Sequence, residues 1–358
     1  MGKIPPKITS KHKTDERLAR DCALRLGKLG TNDLEQLLGC IKNDPRVLVP
    51  PMPGYDSGVH LLGDKYVVVS TDPCIGVPEE WFGWLLIHYA ASDVALFGAK
   101  PEFCTVNFLA PQKTKPTVFR ELMNQTCKAA DQLQMAIVTG HSGTYNGIST
   151  LIGVCTAYGT IEKSDLITPD GAKPEDCIYC IKPIGLEVAV NFAILQKCIA
   201  KRIFGAQKTK RLEGFVPMQS CVKEALLLAK TGAVHAMHDA TEGGLIAALN
   251  EMAEASKVGF RIDYARIPIC KEAQTLGKRF KLSDERLLSL SSTGTVLASV
   301  NPRAREKVDL TLRRHNVQAA VLGAFTEGMQ RVLLKGGKRV SFPRDADDPY
   351  ASILSGRL

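Results

Sequence analysis

A chain of 358 residues, 45% of them hydrophobic and 23% charged, has the composition of an ordinary globular protein and exceeds the size at which one core stops growing, so two domains are expected. Its formal net charge of +9 suits anionic or phosphorylated ligands, but no nucleic-acid-binding motif accompanies its basic residues. No apolar run nears the roughly 18 residues that span a bilayer; the start lacks an apolar stretch for a signal peptide, and Pro6 stands where acylation wants Ser or Thr. A cytoplasmic protein without a membrane partner is the expectation.

In chain order, PGYDSGV sets Asp56 in a glycine-flanked turn, and VVVSTDP (Val67 to Pro73) reads as a strand closed by Asp72. A helix follows over roughly Trp81 to Phe97, and a second covers about Thr117 to Gln134. Strands are expected at MAIVTG and TLIGVCTAYGTI, and then KSDLITPDGAKPEDC, dense in Pro, Gly and Asp, reads as a linker. The chain therefore divides into residues 1–165 and 166–358. Beyond the division come a strand at Ile178 to Ile181, helices around Glu187 to Ile203 and Val216 to Thr231, the stretch MHDATEGGLIAALNEMAEAS (Met237 to Ser256), and a strand at GTVLASV. Helices and strands in both halves give an α/β or α+β architecture.

Eleven cysteines without a repeating spacing read as reduced thiols. Cys177 and Cys180 are three apart on an expected strand, so they face opposite ways, and no second pair completes a zinc site. The basic run KRIFGAQKTKR (Lys201 to Arg211) reads as a solvated surface loop.

Three acids of the first half carry chemistry. Asp93 lies inside a helix that is apolar almost all round, so it must be paired, hold a cation, or cost several kcal/mol; satisfaction by neighbouring backbone or a lysine is the structural alternative. Asp72 could equally cap the helix that follows. Three carboxylates in separate elements suit magnesium, which takes oxygen ligands and shares them with substrate phosphates. On the phosphate side, Gly243 and Gly244 leave room for backbone to approach a ligand, and a helix from about Leu245 offers unpaired amides. Thr241 can cap that helix with Glu242 in its first turn; alternatively Asp239 or Thr241 is a cap and nothing more, the glycines being a tight entry. Neither a Walker loop nor a GxGxxG fingerprint occurs.

HDATEGGLIAALNEMAEAS resembles the second-domain signature of the aminoimidazole ribonucleotide synthetase (PurM-like) superfamily, most closely its HypE-like branch, whose form is HDPTxGGLxxxLNExAxAS. GKIPP at Gly2 to Pro6, RVLVPPMPGYDSGV, STDPC, HYAASDVALFGAKPEF, LITPDGAKPEDCIYCIKPIGLEVAV and LLSLSSTGTVLASV resemble further motifs of that branch in the same order. The resemblance implies a two-domain ATP-dependent enzyme, homodimeric through first domains that pair into a β-barrel, with an α/β second domain. It implies that Asp56, Asp72 and Asp93 hold magnesium and the phosphates, that Lys3 closes over ATP, and that Thr71 and Gly140 join the nucleotide site. Gly243, Gly244 and Asp239 would line the second-domain side, with Asp239 and Glu242 in catalytic positions.

Three departures accompany it. The HypE tail Pro-Arg-Ile-Cys is replaced by ASILSGRL. The acidic turn of relatives is replaced by TGHSGTYNG, putting His141 in place of the acid as a phosphate donor or proton-transfer group, with a packed turn histidine as the alternative. Residues 11–43 look longer and more helical than their counterpart. The expected function is ATP-dependent phosphorylation of a carbonyl, amide or carbamoyl oxygen on a small or carrier-bound substrate, with a maturation partner protein as a further expected partner. A thiamin-monophosphate-kinase-type enzyme or a silent nucleotide-binding assembly factor is the alternative. The missing Cys-Gly nucleophile loop argues against selenide-water dikinase itself, and TDPCIG in place of DGVGTK against the synthetase itself.

Overall fold

A computed structural model describes residues 29–356 apart from Gly30 and Ala346. Lys3, the GKIPP start and most of the segment 11–43 lie outside the described residues; within that segment the structure gives one helix, α1 (Thr31–Leu38).

The first sheet is built from β1 (Val47–Val49), β2 (Gly58–Leu62), β3 (Lys65–Ile75), β4 (Phe103–Pro111), β5 (Ala136–Tyr145) and β6 (Ile152–Ile161), in the order β1-β2-β3-β6-β4-β5. Only β4 and β5 pair in parallel, joined by the crossover helix α3 (Pro116–Leu133). Helix α2 (Phe82–Leu96) lies between this sheet and α3. Every α2 residue except Tyr89 is buried, which explains why its sequence shows no polar stripe. Along β3 the side chains of Val68, Ser70 and Cys74 are buried, so residues at this parity, Asp72 included, face α2, while Thr71 faces the other way.

The second half carries β7 (Cys177–Ile181), α4 (Leu186–Leu195), α5 (Lys197–Phe204), α6 (Ala206–Glu213), α7 (Val222–Ala229), β8 (Val234–Ala240), α8 (Gly244–Ala255) and β9 (Gly259–Asp263). It continues through α9 (Lys271–Arg279), α10 (Asp284–Leu288), β10 (Ser292–Val300), α11 (Arg305–Arg314), β11 (Ala319–Thr326), β12 (Arg331–Lys335), β13 (Lys338–Ser341) and α12 (Tyr350–Leu354). Its sheet runs β13-β12-β9-β11-β7-β10-β8. One face packs on α8 through Ile178, Leu297, Ala236 and Phe325; the other joins α4, α7 and α11 in a core continuous with that of the first sheet. The two halves meet where α2 packs against α7. There His88 Nδ1 lies 2.7 Å from Ser220 Oγ, and Cys221 N donates to Ser92 Oγ at 3.2 Å.

Several local expectations are corrected. The strand bearing Asp72 runs on to Ile75 and the next turn starts only at Glu79, so Asp72 caps no helix. His141 sits within β5, not in a turn, because β4 pairs with that segment out to Pro111↔Tyr145. Gly140 permits the crossing: a Cβ there would lie 2.1 Å from Val106 O. The run 201–211 is helical, divided between α5 and α6 by Gly205 at φ +84°, as its Ala, Gln, Lys and Arg content favours. The expected helix from Glu187 to Ile203 breaks at Gln196, and the one from Val216 to Thr231 is a 3-10 turn (Val216–Gln219) followed by α7. The described cysteines are free thiols, and among the described residues no helix is long and apolar enough to cross a membrane.

Candidate active site

The loop before β2 brings Asp56 to the second half of the chain. Gly54, at φ +77°, turns it so tightly against α8 that a Cβ would stand 3.1 Å from Glu251 Cβ. There Asp56 meets His238 and Asp239, adjacent residues at the end of β8. One ligand-type atom from each of the three lies within 4.8 Å of the other two.

His238 is held from both sides. Its Nδ1 lies 2.8 Å from Asp239 O, and its Nε2 lies 3.0 Å from Glu251 Oε2 and 3.8 Å from Asp56 Oδ2. Burial opposes charge on the ring, but the Glu251, Asp56 and Asp239 carboxylates outweigh it and push the pKa up to about 10. His238 is thus a fixed cation beside the acids, and a protonated imidazole has no lone pair for a metal.

Asp93 reaches the same place from α2. It is 6% exposed, and Ser70 Oγ on β3 donates to its Oδ2 at 2.8 Å. Burial raises its pKa well above the usual carboxylate range; the negative charges of Asp72, Asp56 and Asp239 add to this, and a hydrogen bond with Asp72 favours the protonated form. Four carboxylates from separate elements, Asp56, Asp72, Asp93 and Asp239, therefore converge between the two sheets. Like charges gathered in a buried place cannot all ionise unless a cation joins them. The donor set, hard oxygens from several elements, fits magnesium.

At the glycine pair it is the capping that differs from expectation. Gly243 (φ +78°) is the N-cap of α8, and no side chain caps it; Thr241 and Glu242 precede the cap, so Thr241 does not close the helix and Glu242 is not in its first turn. A Cβ on Gly244 (φ +55°) would stand 2.5 Å from Leu290 O and 2.7 Å from Leu288 O, so this glycine lets α8 seat on the backbone before β10. The Gly243 amide is taken by the chain itself: it donates to Asp348 Oδ2 at 3.2 Å, and Tyr350 N donates to Asp348 Oδ1 at 2.9 Å. Burial pushes Asp348 up to about 6, against these hydrogen bonds and with the help of the nearby Glu242 charge.

Other sequence candidates stand apart from the four acids. Thr71 lies on the opposite face of β3, its Oγ1 3.0 Å from Thr156 Oγ1. Asp72, Cys155, Val106 and Gly140 are paired in one row across β3, β6, β4 and β5, which puts Gly140 three strand spacings, about 14 Å, from Asp72. The neighbouring His141 is exposed, its Nε2 2.5 Å from Tyr145 Oη. Two site residues that sequence reasoning passed over are His238 and Glu251. The signal for the first was present, an ionisable residue directly before Asp239 at a buried position of the strand. Glu251 becomes visible only when α8 folds back over β8.

The family described as AIR synthase related protein, N-terminal domain, matches residues 54–161, and its C-terminal domain matches residues 173–335. A selenide, water dikinase of Myxococcus xanthus is 28% identical over 341 residues, covering 86% of this chain and 93% of that protein. A putative hydrogenase expression/formation protein of Methanocaldococcus jannaschii is 25% identical, covering 80% and 84%. A carbamoyl dehydratase HypE of Rhizobium leguminosarum is 26% identical, covering 80% and 82%. Among solved structures, HypE from a HypE–HypF complex superposes with a TM-score of 0.70 at 18% identity, covering 89% of this chain and 100% of that one. HypE in complex with ATP gives 0.66 at 19% identity, covering 87% and 91%. A ThiL protein complexed with AMPPCP and TMP gives 0.67 at 16%, covering 88% and 94%. The fold is the one these proteins share.

Proposed function

Because this chain belongs to the AIR synthase related protein family, we propose that it is an ATP-dependent enzyme working at the cleft where Asp56, Asp72 and Asp93 meet Asp239. The convergence of these carboxylates from both halves of the chain is the observation that carries the reading. Asp56, Asp72 and Asp93 would hold Mg²⁺, with Asp239 closing the set from the second half; held there, the ion would supply charge neutralisation for the phosphates. ATP as the nucleotide is supported by the HypE–ATP and ThiL–AMPPCP structures.

The chain's own residues have definable tasks. Ser70 fixes the Asp93 carboxyl. His238, locked by Glu251, offsets the charge of Asp56 and keeps that loop in place. His141, exposed toward the far end of the first sheet, is assigned proton transfer at a substrate that extends away from the acids. Lys3 is assigned to closing over the nucleotide, and Glu242, beside Asp348, to the rim on the second-domain side. The reaction is phosphorylation of a carbonyl, amide or carbamoyl oxygen on a small or carrier-bound substrate, supported by the similarity to carbamoyl dehydratase.

A second reading, a small-molecule kinase, is favoured by the dikinase relative and by the ThiL fold neighbour. The domain boundary is placed between residues 165 and 166, in the turn-rich segment between the two sheets. A homodimer through the first sheet is supported by Leu62, Phe103 and Val138, which are 63%, 40% and 55% exposed; a maturation partner protein is supported by the HypE–HypF complex. The test is release of ADP, or of AMP and phosphate, from Mg-ATP in the presence of amide, carbamoyl, thiamin-monophosphate or selenide substrates. Release with carbamoyl or amide substrates supports the first reading and with the others the second. ATP binding without release on any of them leaves an assembly factor.

A further inference from the structure

Away from the four acids, a cavity of about 460 Å³ opens between α11 and β11, with Arg266, Arg305 and Arg313 on its walls. The rest of its lining is apolar, from Leu312, Val317 and the β11 run 319–321, apart from Asp309. Asp239, Val296, Ile181 and Ala319 are paired in one row across β8, β10, β7 and β11. The cavity floor therefore begins three strand spacings, about 14 Å, from Asp239, so the cavity is separate from the acid cluster.

Its charge is unbalanced. Asp309 is the one carboxylate in the lining, and it already accepts from Tyr179 Oη at 2.7 Å. Arg305 Nε stands 3.8 Å from Asp309 Oδ2, and Arg266 Nε stands 3.9 Å from Asp263 Oδ2, both at the long limit of an ion pair. Arg313 has no acidic partner among the described residues. The floor also offers main chain: β9 pairs with β11 only from Gly323 onward, so no strand takes up that side of residues 319–321.

We propose that this cavity binds a phosphorylated small molecule, its phosphate between Arg305 and Arg313 and its apolar body against Leu312 and Val317. Guanidinium forks match phosphate oxygens two at a time, and the volume falls within the range of small-molecule sites.

The test is calorimetric titration of the full chain with AMP and, separately, with inorganic phosphate, both in EDTA so that divalent-dependent binding at the acids is removed. Saturable AMP binding is expected, weakened about tenfold or more in Arg305→Ala/Arg313→Ala and unchanged in Asp239→Asn. Inorganic phosphate competing with AMP would show that the phosphate supplies the recognition. AMP binding without that competition, if still lost in the arginine variant, would place the contact on the nucleoside and overturn the phosphate assignment. So would no saturable signal from either probe, retention of binding in the folded double variant, or loss of binding in Asp239→Asn. A polyglutamate peptide that binds where neither probe does would equally overturn it in favour of an acidic protein partner.

Discussion

Glu251 on α8 reaches back over β8 and sets its Oε2 3.0 Å from Nε2 of His238, converting a buried histidine into a permanent cation against Asp56. The pair ties the Asp56 loop of the first half to the strand–turn–helix of the second. His238→Gln should therefore cost roughly 1 to 3 kcal/mol in metal-free urea unfolding, below the range for a fully buried pair because Glu251 is 36% exposed. An unchanged unfolding midpoint would show that the pair does not hold the two halves together.

His88 supplies the pH dependence. It is buried at the contact of α2 with the second half, and burial, aided by the Lys182 charge, pushes its pKa down to about 3. The unfolded chain binds a proton at His88 that the folded chain refuses, so between about pH 6.5 and 3 stability rises with pH. The contribution is present above pH 6.5 and is lost progressively as pH falls, reaching a few kcal/mol, roughly, near pH 3. His88→Gln should flatten this part of the stability profile in urea melts at successive pH values. A profile identical to wild type would remove His88 from the account.

Gly244 should matter to folding whether or not nucleotide is present. A side chain there meets the carbonyls of Leu290 and Leu288 at φ +55°, so Gly244→Ala is expected to lose roughly 1 to 3 kcal/mol. Gly328 has φ +72° and nothing within 4 Å of an added Cβ, so Gly328→Ala should lose about 1 kcal/mol at most. Thermal melts with and without Mg-ATP make the comparison. A Gly244→Ala protein of wild-type stability that fails only to respond to nucleotide would restore the reading in which the glycines make room for phosphate.

Assembly is tested at the open side of the first sheet. The wild type is expected to be a dimer by light scattering, and Phe103→Asp or Leu62→Asp should shift it to monomer, since each buries a charge if that face is covered. A monomeric wild type, or dimers that survive both changes, would place any interface elsewhere.

How far the sequence reveals this arrangement depends on whether the signal is local. Asp93 stands out because a carboxylate inside the apolar sequence of α2 has no local explanation, and Asp56 and Asp72 occupy recognisable contexts. The His238–Glu251 pair is hidden because its members are thirteen positions apart on a strand and a helix and meet only through the Gly243–Gly244 turn. Likewise β5 runs through Gly140 to Tyr145 although that stretch is poor in β-branched residues; pairing with β4 makes it a strand. The helix break at Gln196 leaves no mark either, since the apolar spacing continues across it. The short strands β9, β12 and β13, of five, five and four residues, are too brief to show a period, and the eight-residue β11 is a run without clear alternation. The Asp348 carboxylate at the entry of α8 comes from the far end of the chain, which no local pattern near Gly243 announces.

If Asp56, Asp72, Asp93 and Asp239 form a magnesium-dependent nucleotide site, calorimetric titration of ATP into wild type and Asp93→Asn, each with magnesium and with EDTA, will show it. Wild type should bind ATP more tightly with magnesium than in EDTA, and Asp93→Asn should lose most of that difference while remaining folded. Equal magnesium dependence in the two proteins, or ATP affinity that ignores magnesium in both, would contradict the assignment.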